Sequence, residues 1–183
     1  MKNAFILHGI YGDPEENWTP WLKKHLEDLG LEVHVPHFPT IEPVTSLESW
    51  NKTWQPYEKH INEESILIGH SLGVAFGLGL IERHKIHAAF FVATAWGVTG
   101  NEFDPVMGEI ANQPFDFEQI NNNCNHFEIM HADNDPYLPV ERAETLASNL
   151  NIEAEIIEGA GHFNEKAGYT EFPLLLEKIK QVP

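Results

Sequence analysis

Ser71 stands in Gly69-His70-Ser71-Leu72-Gly73, with a glycine two residues to either side. The short apolar run 65–68 precedes it, and a stretch rich in small residues follows from Leu72 to about Arg83. Gly-x-Ser-x-Gly between a strand and a helix specifies a sharp turn that exposes the serine hydroxyl. The helix N-terminus behind that turn favours developing negative charge. The chemistry this predicts is nucleophilic attack on a carbonyl.

A serine needs a base, and the base needs an orienting group. When a serine lies on such an elbow, the chain order is serine, acid, histidine. His84, His87 and His126 fall near strand starts, at the wrong end of a parallel sheet, and His131 ends a strand too early. His162 lies in the glycine-rich stretch Glu158-Gly159-Ala160-Gly161-His162-Phe163, just past the last expected strand, and is the candidate base. Asp133 and Asp135 share the loop after the preceding strand, and spacing alone does not choose between them. Oxyanion donors are expected from the backbone N–H of Leu72 and from the loop His8-Gly9-Ile10-Tyr11-Gly12, with Ile10 as the second donor. His8 itself reads as structural. Trp18, Trp96 and Phe163 adjoin these loops and are candidate walls of an acyl pocket, whereas Trp50 reads as core.

The elements that must position these residues alternate regularly. Strands are expected at 4–7, 31–35, 65–68, 87–93, 127–130 and 152–157, all short, with 31–35 alternating between apolar and polar residues. Between them lie a helix opened by Thr19-Pro20, with Thr19 as N-cap and Gly30 as terminator, and a helix behind the capping-box pattern Thr45-Ser46-Leu47-Glu48. Further helices are expected at 72–83, 140–150 and 172–179. Continuous apolar strands alternating with amphipathic helices imply a six-stranded parallel sheet covered on both faces, with the site at the carboxyl ends of the strands. Residues 97–116 break the rhythm and read as an excursion over the sheet, either a small lid or a plain surface loop. The 183 residues suit one domain.

Composition narrows the partners. Eleven basic against 28 acidic residues give a net charge of −17, which repels nucleic acid and anionic membranes. A single cysteine, Cys124, excludes an internal disulfide and fits a reducing compartment. The N-terminal apolar stretch is too short for a signal peptide and no run is long enough to span a membrane, so a cytoplasmic protein is expected. No dinucleotide or Walker pattern appears, so no cofactor is expected. His34 and His37 lie three apart without Cys or acidic partners at matching spacing. They read as solvated loop histidines, and no metal site is expected.

The chain resembles the retinoblastoma-binding protein 9 family of small serine hydrolases, also called the YdeN type. The likeness runs nearly end to end. It rests on His8-Gly9, Trp18 and Trp21, Phe38-Pro39, Trp50 and Pro56, Ile68-Gly69-His70-Ser71, Gln113-Pro114-Phe115 and Cys124, Asp135-Pro136-Tyr137-Leu138-Pro139, and Gly161-His162-Phe163. The resemblance implies a minimal α/β-hydrolase with a triad of Ser71, Asp135 and His162, and its Asp-Pro-x-x-Pro match favours Asp135 over Asp133. The Leu-x-Cys-x-Glu stretch that some members carry is missing, so a retinoblastoma-protein partner is not implied. The expected activity is hydrolysis of a carboxylic ester with a small or medium acyl group, with thioesters or amides as variants. The alternative is a protein-interaction module on the same fold. A dehalogenase or epoxide hydrolase would need a carboxylate where Ser71 stands.

Overall fold

A computed structural model describes residues 2–40, 46–97, 100 and 102–182. Its strands are β1 (Asn3–Leu7), β2 (Glu32–His34), β3 (Ile66–His70), β4 (Ile86–Val92), β5 (Cys124–Ala132) and β6 (Glu155–Ile157). Its α-helices are α1 (Thr19–Asp28), α2 (Leu47–Trp54), α3 (Leu72–Arg83), α4 (Asp104–Ala111), α5 (Phe117–Asn123), α6 (Val140–Asn149) and α7 (Pro173–Gln181). Two 3₁₀ segments, Gln55–His60 and Glu165–Ala167, complete the described elements. Among the described residues, no helix is long and apolar enough to cross a membrane.

The strands form one parallel sheet in the order β2-β1-β3-β4-β5-β6. The two-residue period of a strand divides each central one between two cores. Ala4, Ile6, Ile66, Ile68, Ala88, Phe90 and Val92 pack with Leu22 and Leu26 of α1 and with Leu175 and Ile179 of α7. Phe5, Leu7, Leu67, Ala89 and Phe91 pack on the other face with residues of α2, α3 and α6. That double burial is why these strands are apolar without interruption. The edge strands β2 and β6 have three residues each, which limits the exposed hydrogen-bonding edge.

From β1 the chain steps outward to β2, then crosses back to β3 and proceeds one strand at a time to β6. The direction reverses between β1 and β3, which opens a crevice at their carboxyl ends. His8 and Ser71 immediately follow those two strands.

The helix starts differ from their expected register. Thr19 is the first helical residue of α1 rather than its cap. Trp18 stands at the cap position without a side-chain bond to the helix's own N–H groups, and Pro20 occupies the first turn. At the other end Gly30, at φ +88°, donates to Glu27, and Leu31 donates to Leu26, closing the helix as expected. The capping box of α2 uses Ser46 and Ser49, whose hydroxyls each accept the other's backbone N–H at 3.0 Å. Ser46 is extended and so presents its oxygen to the helix, while Thr45 lies outside the described residues. Strand β5 runs from 124 to 132, longer than 127–130, because its start pairs with Ile86 of β4. The excursion at 97–116 contains α4, which buries Met107, Ile110 and Ala111 against the core beside α3. Residues 98, 99 and 101 of it lie outside the described residues.

Candidate active site

Ser71 sits between β3 and α3 at φ +54° and ψ −122°, a conformation a non-glycine residue holds only when its surroundings impose it. Those surroundings are the neighbouring backbones. The Ser71 N–H donates to Val92 of β4 at 2.9 Å, and its carbonyl accepts from Val74 at 3.0 Å. A Cβ at Gly73 would stand 2.1 Å from the Leu7 carbonyl oxygen, so α3 starts hard against the end of β1. A Cβ at Gly9 would stand 2.7 Å from the Ser71 Cβ. The glycines of the motif and of the β1 loop therefore let three backbones meet around one hydroxyl.

A cavity of about 520 Å³ opens there. Ser71 and His162 both line it, together with His8, Gly9 and His70. Ile10, Tyr11, Phe103, Met107, Tyr137 and Leu138 supply its apolar lining. Leu72 is the first residue of α3, so its N–H belongs to the helix's unpaired N-terminal group, and Ile10 lies on the cavity-lining loop after β1.

His162 Nδ1 lies 2.8 Å from Asp135 Oδ2, and both side chains are almost wholly buried. The other oxygen, Oδ1, accepts the N–H groups of Tyr137 at 2.9 Å and Leu138 at 3.1 Å. Burial pushes the Asp135 carboxyl up, but the His162 bond and charge and the two backbone donors outweigh it and hold the group below its usual range. The carboxylate thus stays ionised beside the ring. Asp133 and Asn134 have a different part. Asp133 Oδ1 accepts from Gly159 N–H at 2.8 Å, and Asn134 Oδ1 accepts from Gly161 N–H at 2.7 Å. Three consecutive side chains therefore grip the loop that carries His162.

The same loop is held from behind by donors. His70 Nε2 lies 2.9 Å from the His162 carbonyl oxygen, and the Trp18 indole N–H donates to the Phe163 carbonyl at 2.9 Å. Since a carbonyl only accepts, His70 carries its proton on Nε2. Burial, then the nearby His162, push the His70 ring down to about 3, so it is neutral. His70 is a contributor that sequence reasoning passed over. It lies inside the elbow at a position the motif leaves free, and only its contact across the fold shows its part. His8 and His131 behave alike. His8 Nε2 accepts from Phe38 N–H at 3.0 Å, and His131 joins Thr94 N–H at 3.1 Å to the Leu138 carbonyl at 3.1 Å.

The expected pocket walls are elsewhere. Trp18 is 1 % exposed and Phe163 0 %. They pack with Phe172 in the core beneath the loop, and Phe163 reaches that position only by taking φ +49°. Trp96 points its indole N–H at the Arg142 carbonyl, 2.9 Å away, and packs on Phe117. None of the three is among the residues that line the cavity. Trp50 is core, 0 % exposed. The actual lining draws on Phe103 and Met107 from the 97–116 excursion and on Tyr137 and Leu138 beside Asp135.

A family model described as "Serine hydrolase" matches residues 4–181. The chain is similar to the serine hydrolase RBBP9 of Rattus norvegicus, 29 % identical over 169 residues that span 90 % of this chain and 86 % of that protein. It is also similar to the hydrolase YdeN of Bacillus subtilis, 24 % identical over 181 residues, with 97 % and 94 % covered. The crystal structure of the ydeN gene product matches this fold at a TM-score of 0.88, covering 100 % of this chain and 98 % of that one. Est1E from Butyrivibrio proteoclasticus, with ferulic acid bound, shares the fold at 17 % identity and a TM-score of 0.68, covering 99 % and 90 %.

Proposed function

The chain belongs to the serine hydrolase family and has the α/β-hydrolase fold, and we propose that it cleaves a carboxylic ester of a small or medium acyl group through Ser71, His162 and Asp135. One observation carries this reading. A serine held at φ +54° shares a cavity with a histidine whose Nδ1 is 2.8 Å from a buried carboxylate.

The mechanism follows from that geometry. Asp135 occupies the Nδ1 side of His162, which leaves Nε2 to take the Ser71 proton as Oγ attacks the substrate carbonyl carbon. Asp135 stabilises the imidazolium so formed without accepting its proton. The N–H groups of Leu72 and Ile10 receive the oxyanion. When it collapses, the ester C–O bond breaks, and His162 returns the proton to the departing alcohol. Water then repeats the sequence on the acyl-enzyme: His162 takes its proton, the hydroxide attacks, the acid leaves and Ser71 regains its hydrogen. A cavity of about 520 Å³ with six apolar lining residues suits a modest acyl group. The reading includes a cytoplasmic setting, which the single cysteine supports. Cys124 is buried and its thiol is pushed up to about 12, so it plays no nucleophilic part.

The test is intact mass after exposure to a fluorophosphonate probe, beside turnover of nitrophenyl acetate and butyrate. Wild type should gain one adduct and hydrolyse both esters. Ser71→Ala should do neither. A folded wild type that takes no adduct would instead favour an interaction module on this fold.

A further inference from the structure

The geometry points to a second site, at the end of the sheet opposite Ser71: a divalent transition-metal site of the zinc class, formed by Glu32, His34 and His60. Glu32 and His34 lie on the edge strand β2, where Glu32 pairs with Asn3 at the start of β1. His60 ends the 3₁₀ segment that leads towards β3. The three therefore meet at the amino ends of the strands, away from the cavity. One ligand atom from each residue lies within 4.8 Å of the others. Glu32 Oε1 is 3.4 Å from His34 Nε2 and 3.9 Å from His60 Nδ1.

Two features separate this cluster from a chance surface grouping. First, His34 Nε2 is shut off from solvent and has no hydrogen-bond partner, although it faces the carboxylate. A buried ring nitrogen without a partner costs free energy that a metal bond would recover. Second, the two histidines are held in place. The His34 ring stacks on Phe5 at 5.0 Å and 22° and meets the edge of Tyr57, and its centroid lies 4.6 Å from that of His60. The Asn3 side chain donates to the His60 carbonyl, fixing that backbone.

Donor chemistry selects the ion. Two imidazoles and one carboxylate suit zinc, copper or nickel and not calcium or magnesium. Around tetrahedral zinc, nitrogen ligands at about 2.0–2.1 Å stand roughly 3.3 Å apart, so the cluster is already within about 1.5 Å of closing. Glu32 is exposed and free to swing in, and solvent would take the fourth position. Bound metal would clamp edge strand β2 to the segment that precedes β3.

The experiment is titration of the chelator-treated 183-residue chain with zinc chloride by calorimetry, repeated on Glu32→Gln and His60→Gln. Both changes are on accessible side chains outside the cavity, and circular dichroism without zinc reports whether each variant is folded. Wild type should bind one equivalent, and affinity should fall by at least about 30-fold in each folded variant. Cobalt(II) should give wild type, and neither variant, the intense visible bands of tetrahedral coordination. Zinc saturation should raise Tm of the wild type alone, by roughly 5–10 °C at 100-fold excess over Kd. Equal binding by wild type and both variants would overturn the proposal and move the ion elsewhere, such as His37 and Asp13, which lie 3.3 Å apart. No binding up to about 1 mM zinc would overturn it as well.

Discussion

Three histidines hold the loops around Ser71, and each does so as a neutral ring. His8, His70 and His131 are buried, and burial lowers the proton affinity of all three, furthest for His70. In the unfolded chain these rings would take up protons below about pH 6.5. In the folded chain His70 does so only near 3. Unfolding thus absorbs protons across that window. Stability is full above pH 6.5 and falls as the pH drops, by up to about 1.4 kcal/mol per pH unit for each such ring. Asp135 acts in the same direction, since its lowered affinity adds stability that is lost as pH falls through its folded value. Urea midpoints measured from pH 7.5 to 4.5 should show this slope, and His70→Gln should reduce it by about one proton. The same variant loosens the carbonyl of His162, so kcat should fall about tenfold at little-changed KM. An unaltered slope together with an unaltered kcat would mean that His70 merely fills space.

The elements around the site tolerate very little change in spacing, and α3 is the sharpest case. The atoms that a Gly73 Cβ would strike are the carbonyls of Leu7 and His8, neither of which can turn aside. Gly73→Ala should cost about 3 kcal/mol or more, read as a fall in the urea midpoint. Gly79 lies in the same helix, yet a Cβ there meets nothing nearer than 3.5 Å. Gly79→Ala should leave stability unchanged or raise it by about 0.5–1 kcal/mol through helix propensity. Equal losses at both positions would locate the cost in the helix rather than in its contact with β1. This placement was visible in the sequence, because two glycines and a strand-helix junction define the turn. The parallel sheet covered on both faces followed from continuous apolar strands alternating with amphipathic helices, whereas the strand order comes from the structure alone. Helix α5 escaped, since Phe117–Asn123 is short and mostly polar and is marked chiefly by the Asp116 cap. The cavity lining escaped for another reason. Aromatic type does not reveal whether an indole N–H has a carbonyl to reach, and Trp18 and Trp96 both do. Likewise His34 read as a solvated loop residue because its companion His60 is 26 positions away and the sheet alone brings them together.

A molecule of 183 residues with a net charge of −17 surrounds itself with a negative potential, whatever happens in the cavity. At the cavity itself Glu16, Glu165 and Lys166 are all lining residues, two acidic against one basic, so the lining adds no net positive counterweight. Substrates must cross that field before the apolar lining can select among them. Coulomb repulsion between exposed charges reaches about 30 Å at 0.01 M salt but only about 3 Å at 1 M. A pair of esters matched in size, one neutral and one carrying a distal carboxylate, separates this effect from fit. At low salt kcat/KM should favour the neutral ester several-fold, and the ratio should shrink towards one as salt rises, the change residing in the anionic substrate. A preference that persists at 1 M salt would place discrimination inside the cavity, at Glu16 and Glu165. A preference for the anionic ester at any salt would sink the electrostatic argument and point to Lys166 as a specific anchor. The field acts on the approach and the triad on the bond, so the two are separable in one protein. Under the proposed mechanism Ser71→Ala should abolish turnover at every salt concentration, while the salt ratio in the wild type should report the charge of the whole surface.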